Sequence, residues 1–138
     1  MSARSLLFAA ALSLPVLASC AAQDIAPERT ARGEALLAQR LAGKVAGPPV
    51  ACLSRYRSAD MEVIDSDTLL FRDGRTTYRQ DTNGSCYPRG SKIGYTLVTR
   101  SLSGGQYCDG DIAQVMDSST GAFVGSCSFN AFVPFRQP

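Results

Sequence analysis

The sequence predicts a small, mainly β fold: an antiparallel barrel-like or rolled sheet with an N-terminal helix outside it, stapled by disulfides. Three observations carry this expectation. From Val50 onward, short apolar runs alternate with turn residues, the pattern of successive strands. Only one segment, residues 28–46, repeats at helical spacing. Four cysteines, Cys52, Cys86, Cys108 and Cys127, are spread through the strand-rich part with no C-x-x-C pair among them.

The chain begins MSARSLLFAAALSLPVLASC. Arg4 precedes an apolar run from Leu6 to Ala18, shorter than the roughly 20 residues a membrane-spanning helix needs. A positive start, a short apolar core and small residues after it mark a secretory signal over residues 1–19. The run ends in Leu17-Ala18-Ser19-Cys20, which resembles the lipobox of bacterial lipoproteins: an aliphatic residue, two small residues, then cysteine. The resemblance implies a diacylglyceryl group on the Cys20 thiol, cleavage between Ser19 and Cys20, and acylation of the new amino group with palmitate-type chains. Two or three chains hold where one does not, since each buried methylene contributes about 0.8 kcal/mol. Ala21, not aspartate, follows Cys20, so the resemblance implies the outer membrane, on its periplasmic side or surface. The alternative is ordinary cleavage after Ala22, releasing a soluble protein that starts at Gln23. Cysteine parity favours the lipid, because removing Cys20 from the five leaves an even number for disulfides.

Without residues 1–19, 119 residues remain, enough for one domain with a modest core. Their 13 basic and 12 acidic residues nearly cancel, which gives no electrostatic reason to expect nucleic acid. Residues 20–27 read as a tether. Over residues 28–46, Ala31, Ala35, Leu37, Leu41 and Ala42 recur at helical spacing. Pro27 suits the first turn, and Gly43 or Gly47 before Pro48-Pro49 suits the end. The apolar face is alanine-rich and has no aromatic residue for membrane insertion, so the helix is expected to pack on the domain or act as a spacer.

Residues 47–138 form the β domain. VACLS, MEVID, TLLFR, RTTYRQ, YTLVTR, DIAQVMD, AFVGSCSF and AFVPF are its candidate strands. TLLFRDGRTTYR reads as a hairpin with Asp73-Gly74 as its two-residue turn. That register pairs Phe71 with Thr76 and Leu69 with Tyr78. A second hairpin joins DIAQVMD to AFVGSC through Ser118-Ser119-Thr120-Gly121. Residues 82–94 are rich in turn formers and should be a loop fixed by Cys86. Phe129, Phe132 and Phe135 are three apart, so an irregular bend must intervene if they enter a core together.

The cysteines read as two structural disulfides, each contributing roughly 4 kcal/mol on the chain-entropy model. Spacing alone leaves all three pairings open. The segments GPPVACLS, VIDSDTLLFRDG, QYCDGDIAQV and GSCSFNAFVPF resemble a family of short proteobacterial secreted proteins and lipoproteins of unknown function, over about residues 45–136. Some members keep only the counterparts of Cys52 and Cys108. The resemblance therefore implies Cys52–Cys108 and Cys86–Cys127, and it implies no catalytic residue.

Histidine is absent, which removes the usual general base, the Ser-His-Asp arrangement and most transition-metal sites. No phosphate-cradling glycine loop occurs. No catalytic residue, metal or cofactor is expected. The pairs Asp65/Asp67 and Asp109/Asp111 have the spacing of side chains on one face of a strand, as a calcium site or a glycan-cleaving pair would need, but both sit in turn sequences. Asp81-Thr82-Asn83-Gly84 imitates part of a calcium loop without its distal glutamate. Arg72, Arg75 and Arg79 form a candidate anion-binding strip for phosphate or carboxylate, set against Asp67, Asp73 and Asp81 as its neutralising neighbours. The expected function is a lipid-anchored, non-catalytic binding or structural module. It would meet the membrane through its anchor, and another envelope protein or an anionic envelope polymer through its body. The alternatives are an envelope glycan- or peptide-acting enzyme using Asp109 and Asp111, and a soluble periplasmic inhibitor.

Overall fold

Thr30 starts the only helix among the described residues. Its hydroxyl accepts the Gly33 N–H at 3.0 Å, so it N-caps α1 (Ala31–Leu41). The computed structural model describes residues 29–88, 93–100 and 104–138; the signal, Cys20 and the tether fall outside them. The helix is shorter than the 28–46 expected. Gly43 takes a positive φ of 71° just past its end, which stops it. The next residues, Val45–Ala46, become the strand β1.

Nine further strands follow: β2 (Cys52–Ser54), β3 (Asp60–Asp65), β4 (Thr68–Asp73), β5 (Thr76–Asp81), β6 (Tyr95–Arg100), β7 (Gln106–Cys108), β8 (Ile112–Asp117), β9 (Phe123–Ser128) and β10 (Val133–Arg136). Each of the eight expected strands is present; β1 and β7 are additions of two and three residues. All pairings are antiparallel, in sheets of order β1-β10-β5-β4-β3, β6-β8-β9 and β2-β7. The expected barrel-like closure is not made. Strands of two or three residues are too short to carry one ladder into the next, and the isolated bridges Val50–Phe132 and Asn83–Ser128 do not extend it.

The core lies in two layers. Leu69 and Phe71 point from β4 into the larger one, with Leu53, Cys86, Tyr87, Ala113, Cys127, Phe129 and Phe132. Leu70 points the other way and meets Leu37 of the helix and Ile64. Thr68 through Phe71 are therefore all buried, because β4 is covered on both faces. A two-sided strand reads as a continuous apolar run where a half-exposed one would alternate. The helix packs on the domain, as expected.

The β4–β5 turn is Gly74-Arg75, one residue later than the expected Asp73-Gly74. Asp73 pairs with Thr76, Phe71 with Tyr78 and Leu69 with Gln80. Gly74 alone has positive φ, at 59°, as a type II′ turn requires at its first central position. Phe71 and Leu69 move two residues along their partner strand, so the apolar face keeps its side. The β8–β9 hairpin turns where expected, with Gly121 N–H donating to the Asp117 carbonyl at 2.8 Å. Phe129 and Phe132 meet at 5.9 Å between ring centroids, brought together by the irregular stretch between β9 and β10.

Two disulfides staple this body, Cys52–Cys108 and Cys86–Cys127, the pairing that the family resemblance implies. The first joins directly opposed residues of β2 and β7. The second ties the loop after β5 to β9, and both of its sulfurs lie in the core.

Candidate functional site

Cys20 and Ser19 lie outside the described residues, so the lipid site is placed by sequence alone. The arginine strip is described in full, and its three members differ. Arg72 lies 3.7 Å from Asp60 and 3.3 Å from Glu62. Arg79 Nε approaches Asp81 at 3.0 Å, without the alignment of a hydrogen bond, and its guanidinium lies 5.6 Å from the Phe135 ring centre. Arg75 occupies the turn and is exposed. Arg72 and Arg79 share the outer face of the five-stranded sheet; Arg75 does not join them there. An anion on this face would compete with carboxylates already in place, chiefly Glu62 and Asp60, which sequence proximity had not suggested. Of the expected neutralisers, Asp81 pairs with Arg79, Asp73 pairs with Arg57 at 2.9 Å, and Asp67 accepts from the Ser66 hydroxyl.

The same face holds the helix down. Arg40 meets both oxygens of Glu62 at 2.9 Å, and these hydrogen bonds raise its pKa. Arg29 bonds Glu34 at 2.9 Å and Asp81 at 2.8 Å. Burial pulls the Arg29 pKa down, but the bonds to Asp81 and Glu34 outweigh it and the net shift is upward. Lys44 donates to the Thr77 hydroxyl at 2.7 Å.

Three of the four carboxylates in the acidic pairs, those of Asp65, Asp67 and Asp111, have structural work. Asp65 accepts from Thr30 N–H at 2.6 Å, from the Thr30 hydroxyl at 2.9 Å and from Ser66 N–H at 2.9 Å. It therefore buttresses the start of α1. It reaches the helix because β3 carries one extra residue between Val63 and Asp65, opposite Leu69 and Thr68. Without that bulge Asp65 would share Val63's face and point away from the helix. Asp111 accepts the Cys108 N–H at 2.8 Å, closing a turn in which Gly110 has a φ of 84°. Asp109 is exposed on that turn, its N–H bound to the Ala51 carbonyl at 2.7 Å. Asp81, Thr82 and Asn83 bond within the fold: Thr82 Oγ1 to the Gly84 carbonyl at 2.9 Å, Asn83 Nδ2 to Asn130 Oδ1 at 2.8 Å. Among the described residues, no three His, Cys, Asp or Glu side chains gather as metal ligands. No described helix is long and apolar enough to cross a membrane.

Of the concave sites among the described residues, one of about 260 Å³ takes in Asp111, Ile112 and Gln114, and two others escaped the sequence reading. One of these two, also of about 260 Å³, opens beside the helix start, lined by Thr30, Arg32, Asp65 and Tyr87 among others. Asp65 already supplies the anion that a helix start attracts. The other, of about 420 Å³, is lined by Arg55, Tyr56, Gly105 and Tyr107. Its only sequence signal is the run Arg55-Tyr56-Arg57 just after Cys52, facing Gly105-Gln106-Tyr107 just before Cys108. That signal acquires meaning only once the Cys52–Cys108 bond brings the two segments together.

No protein-family model matches the chain, and neither a curated protein nor a solved structure matches it.

Proposed function

We propose that this protein is an envelope lipoprotein, held to a membrane through lipid on Cys20, whose disulfide-stapled body is a non-catalytic binding or structural module. The observation that carries this reading is the cysteine account. Four of the five pair in two bridges, which leaves Cys20 alone as the thiol at the lipobox position. Disulfides persist in an oxidising compartment, the destination of an exported chain. The resemblance to short proteobacterial secreted proteins and lipoproteins agrees with this address and supplies no activity. The engaged carboxylates of Asp65 and Asp111 serve helix and turn, which favours a scaffold over an acid–base pair.

The test is the intact mass of the native amino terminus, with Cys20→Ser beside it. The expected product begins at Cys20 and carries thioether-linked diacylglycerol, and Cys20→Ser loses both the lipid and the membrane association. A species beginning at Gln23 without fatty acid overturns the anchor. Crosslinking in intact cells then reads out the partner: an anchored module yields a neighbour that disappears or changes with Cys20→Ser.

A further inference from the structure

We infer that the cleft between Arg55, Tyr56 and Tyr107 binds an acidic sugar, a pyranose ring bearing a carboxylate or phosphate. The inference rests on the envelope reading for its choice of ligand source, and on the cleft alone for its chemistry.

The cleft is built on a rigid base. Cys52, Leu53 and Ser54 lie opposite Cys108, Tyr107 and Gln106, with a disulfide across the first pair. One step beyond the ladder, Arg55 N–H donates to the Gly105 carbonyl at 2.9 Å, and Ser58 N–H closes the turn on the Ser54 carbonyl at 2.9 Å. The loop that carries Arg55 and Tyr56 is thereby fixed at both ends. Tyr107 is anchored from behind: its ring packs 5.4 Å from Phe71 and 5.9 Å from Phe129 in the core. The Arg55 guanidinium lies 5.2 Å from the centre of the same ring. That cation–π contact holds the guanidinium beside the Tyr107 ring, and Arg55 is exposed.

Arg29, Arg40, Arg57, Arg72 and Arg79 each face a carboxylate, whereas no ion pair engages Arg55 among the described residues, as none engages Arg32, Arg75, Arg100 or Arg136. What sets Arg55 apart from those four is its place in a cleft against an anchored tyrosine ring. Tyr56 is 88% exposed, so its ring costs hydration without a packing return inside the fold. It lies over Gly105, where an added Cβ would sit 3.4 Å from the ring and where the φ of 82° also disfavours any side chain. Glycine there lets the phenol lie close to the backbone. An exposed aromatic ring sharing a cleft with an unneutralised guanidinium matches a ligand with a flat apolar face and one negative group. A pyranose offers C–H bonds on one face and hydroxyls at its rim, and a carboxylate or phosphate on the ring takes the bidentate edge of arginine. Neutral sugars would lose that second contact, and simple anions would lose the first.

The probe is trigalacturonate, titrated into the purified full chain in detergent micelles by calorimetry and by tyrosine emission, which no tryptophan obscures. Cellotriose serves as the uncharged trisaccharide and inorganic phosphate as the ring-free anion. Saturable binding of trigalacturonate is expected, weakened about tenfold or more by Arg55→Ala and again by Tyr56→Ala, a loss of roughly 1.4 kcal/mol each. Arg55→Lys should recover only part of the affinity, because ammonium lacks the bidentate edge. Cellotriose and phosphate should each bind at least about tenfold more weakly than trigalacturonate. Both side chains are exposed, so unchanged circular dichroism is expected in the variants. Absence of saturation up to about 10 mM, binding that neither substitution alters, or phosphate binding as tightly as the acidic sugar would each overturn the site. These outcomes are independent of the anchor: an unacylated Cys20 leaves the cleft intact, and an empty cleft leaves the lipid mass unchanged.

Discussion

Gln80 is fully buried, and its carboxamide holds the backbone of Asn130 from both sides. Nε2 donates to the Asn130 carbonyl at 2.6 Å, and Oε1 accepts the Asn130 N–H at 3.0 Å. The side chain acts as one more rung of a ladder at the point where β9 has ended and β10 has not begun. This is the stretch that lets both Phe129 and Phe132 enter the core, so the irregular backbone depends on a side chain to satisfy it.

Gln80→Met keeps the volume and removes both bonds. Two backbone groups of the half-buried Asn130 then lose their partner, and a loss of about 2 kcal/mol in unfolding free energy is expected. Gln106→Met, on an exposed strand position, should stay within about 0.5 kcal/mol of wild type. Urea denaturation with both variants decides the matter: equal midpoints would mean that water or a shifted chain replaces the carboxamide.

Gly33 stands where alanine would ordinarily help. Alanine in a helix is favoured over glycine by about 1 kcal/mol. Here an added Cβ would run into the Asp65 carboxylate that caps Thr30. Gly33→Ala is therefore expected to give no gain, and to lose stability to the extent that the cap is displaced. In an Asp65→Ala background, itself about 1 kcal/mol less stable, the ordinary helix gain should reappear. A double-mutant cycle should return a coupling of about 1 kcal/mol or more. Additive effects would show that the two residues do not meet.

These contacts explain which parts of the fold the sequence disclosed. Strands six residues long advertised themselves, and so did the β8–β9 turn, because Gly121 and its polar neighbours act locally. The β4–β5 turn slipped by one residue because Asp73-Gly74 and Gly74-Arg75 are both acceptable turns; what decides is the φ of Gly74 and the packing of Phe71 on the core. The β1 and β7 strands are too short to show a period. The expected helix overruns the observed one because alanine and valine near Gly43 fit a helix in isolation, whereas Val45–Ala46 become a strand by pairing with Arg136 and Phe135. The candidate sites follow the same rule. Arg72 meets Asp60 and Glu62 ten or more residues away, and Tyr56 meets Gly105 about fifty residues on, so neither its neutralisation nor its placement was visible in its own neighbourhood.

Asp117 carries the clearest pH signature. Its Oδ1 accepts from Ser119 Oγ at 2.6 Å, from the N–H groups of Ser119 and Thr120 at 2.9 Å, and from Thr120 Oγ1 at 3.1 Å. The Ser119 hydroxyl, then the Thr120 and Ser119 amides, hold its pKa down to about 2 from 3.8. The fold favours the ionised form, so the unfolded chain takes up the proton first as pH falls. The stabilisation is complete above about pH 4 and is lost as pH drops through about 2. Carboxyl carbon shifts followed by NMR should give an Asp117 midpoint near 2, and Asp117→Asn should remove that step from the acid unfolding curve. A midpoint near 4 would mean that the turn does not hold the carboxylate.

The two disulfides should differ in how they open, and loop length is not the reason. Their sequence separations of 56 and 41 residues correspond to chain-entropy contributions only about 0.3 kcal/mol apart. Access is the difference. Cys86 and Cys127 are 0% and 4% exposed, inside the aromatic core, whereas Cys52 lies exposed on a three-residue strand. Thiol exchange needs a thiolate to reach a sulfur, so the buried pair opens only with the core. Limited reduction of the native protein, followed by alkylation and peptide mass analysis, should label Cys52 and Cys108 well before Cys86 and Cys127. The singly reduced form should keep its near-ultraviolet signal from the core, yet bind trigalacturonate more weakly, because the bond that aligns Arg55 with Tyr107 is gone. Labelling of Cys86 and Cys127 first, or collapse of the core on opening Cys52–Cys108 alone, would show that the ribbon and the core are one cooperative unit.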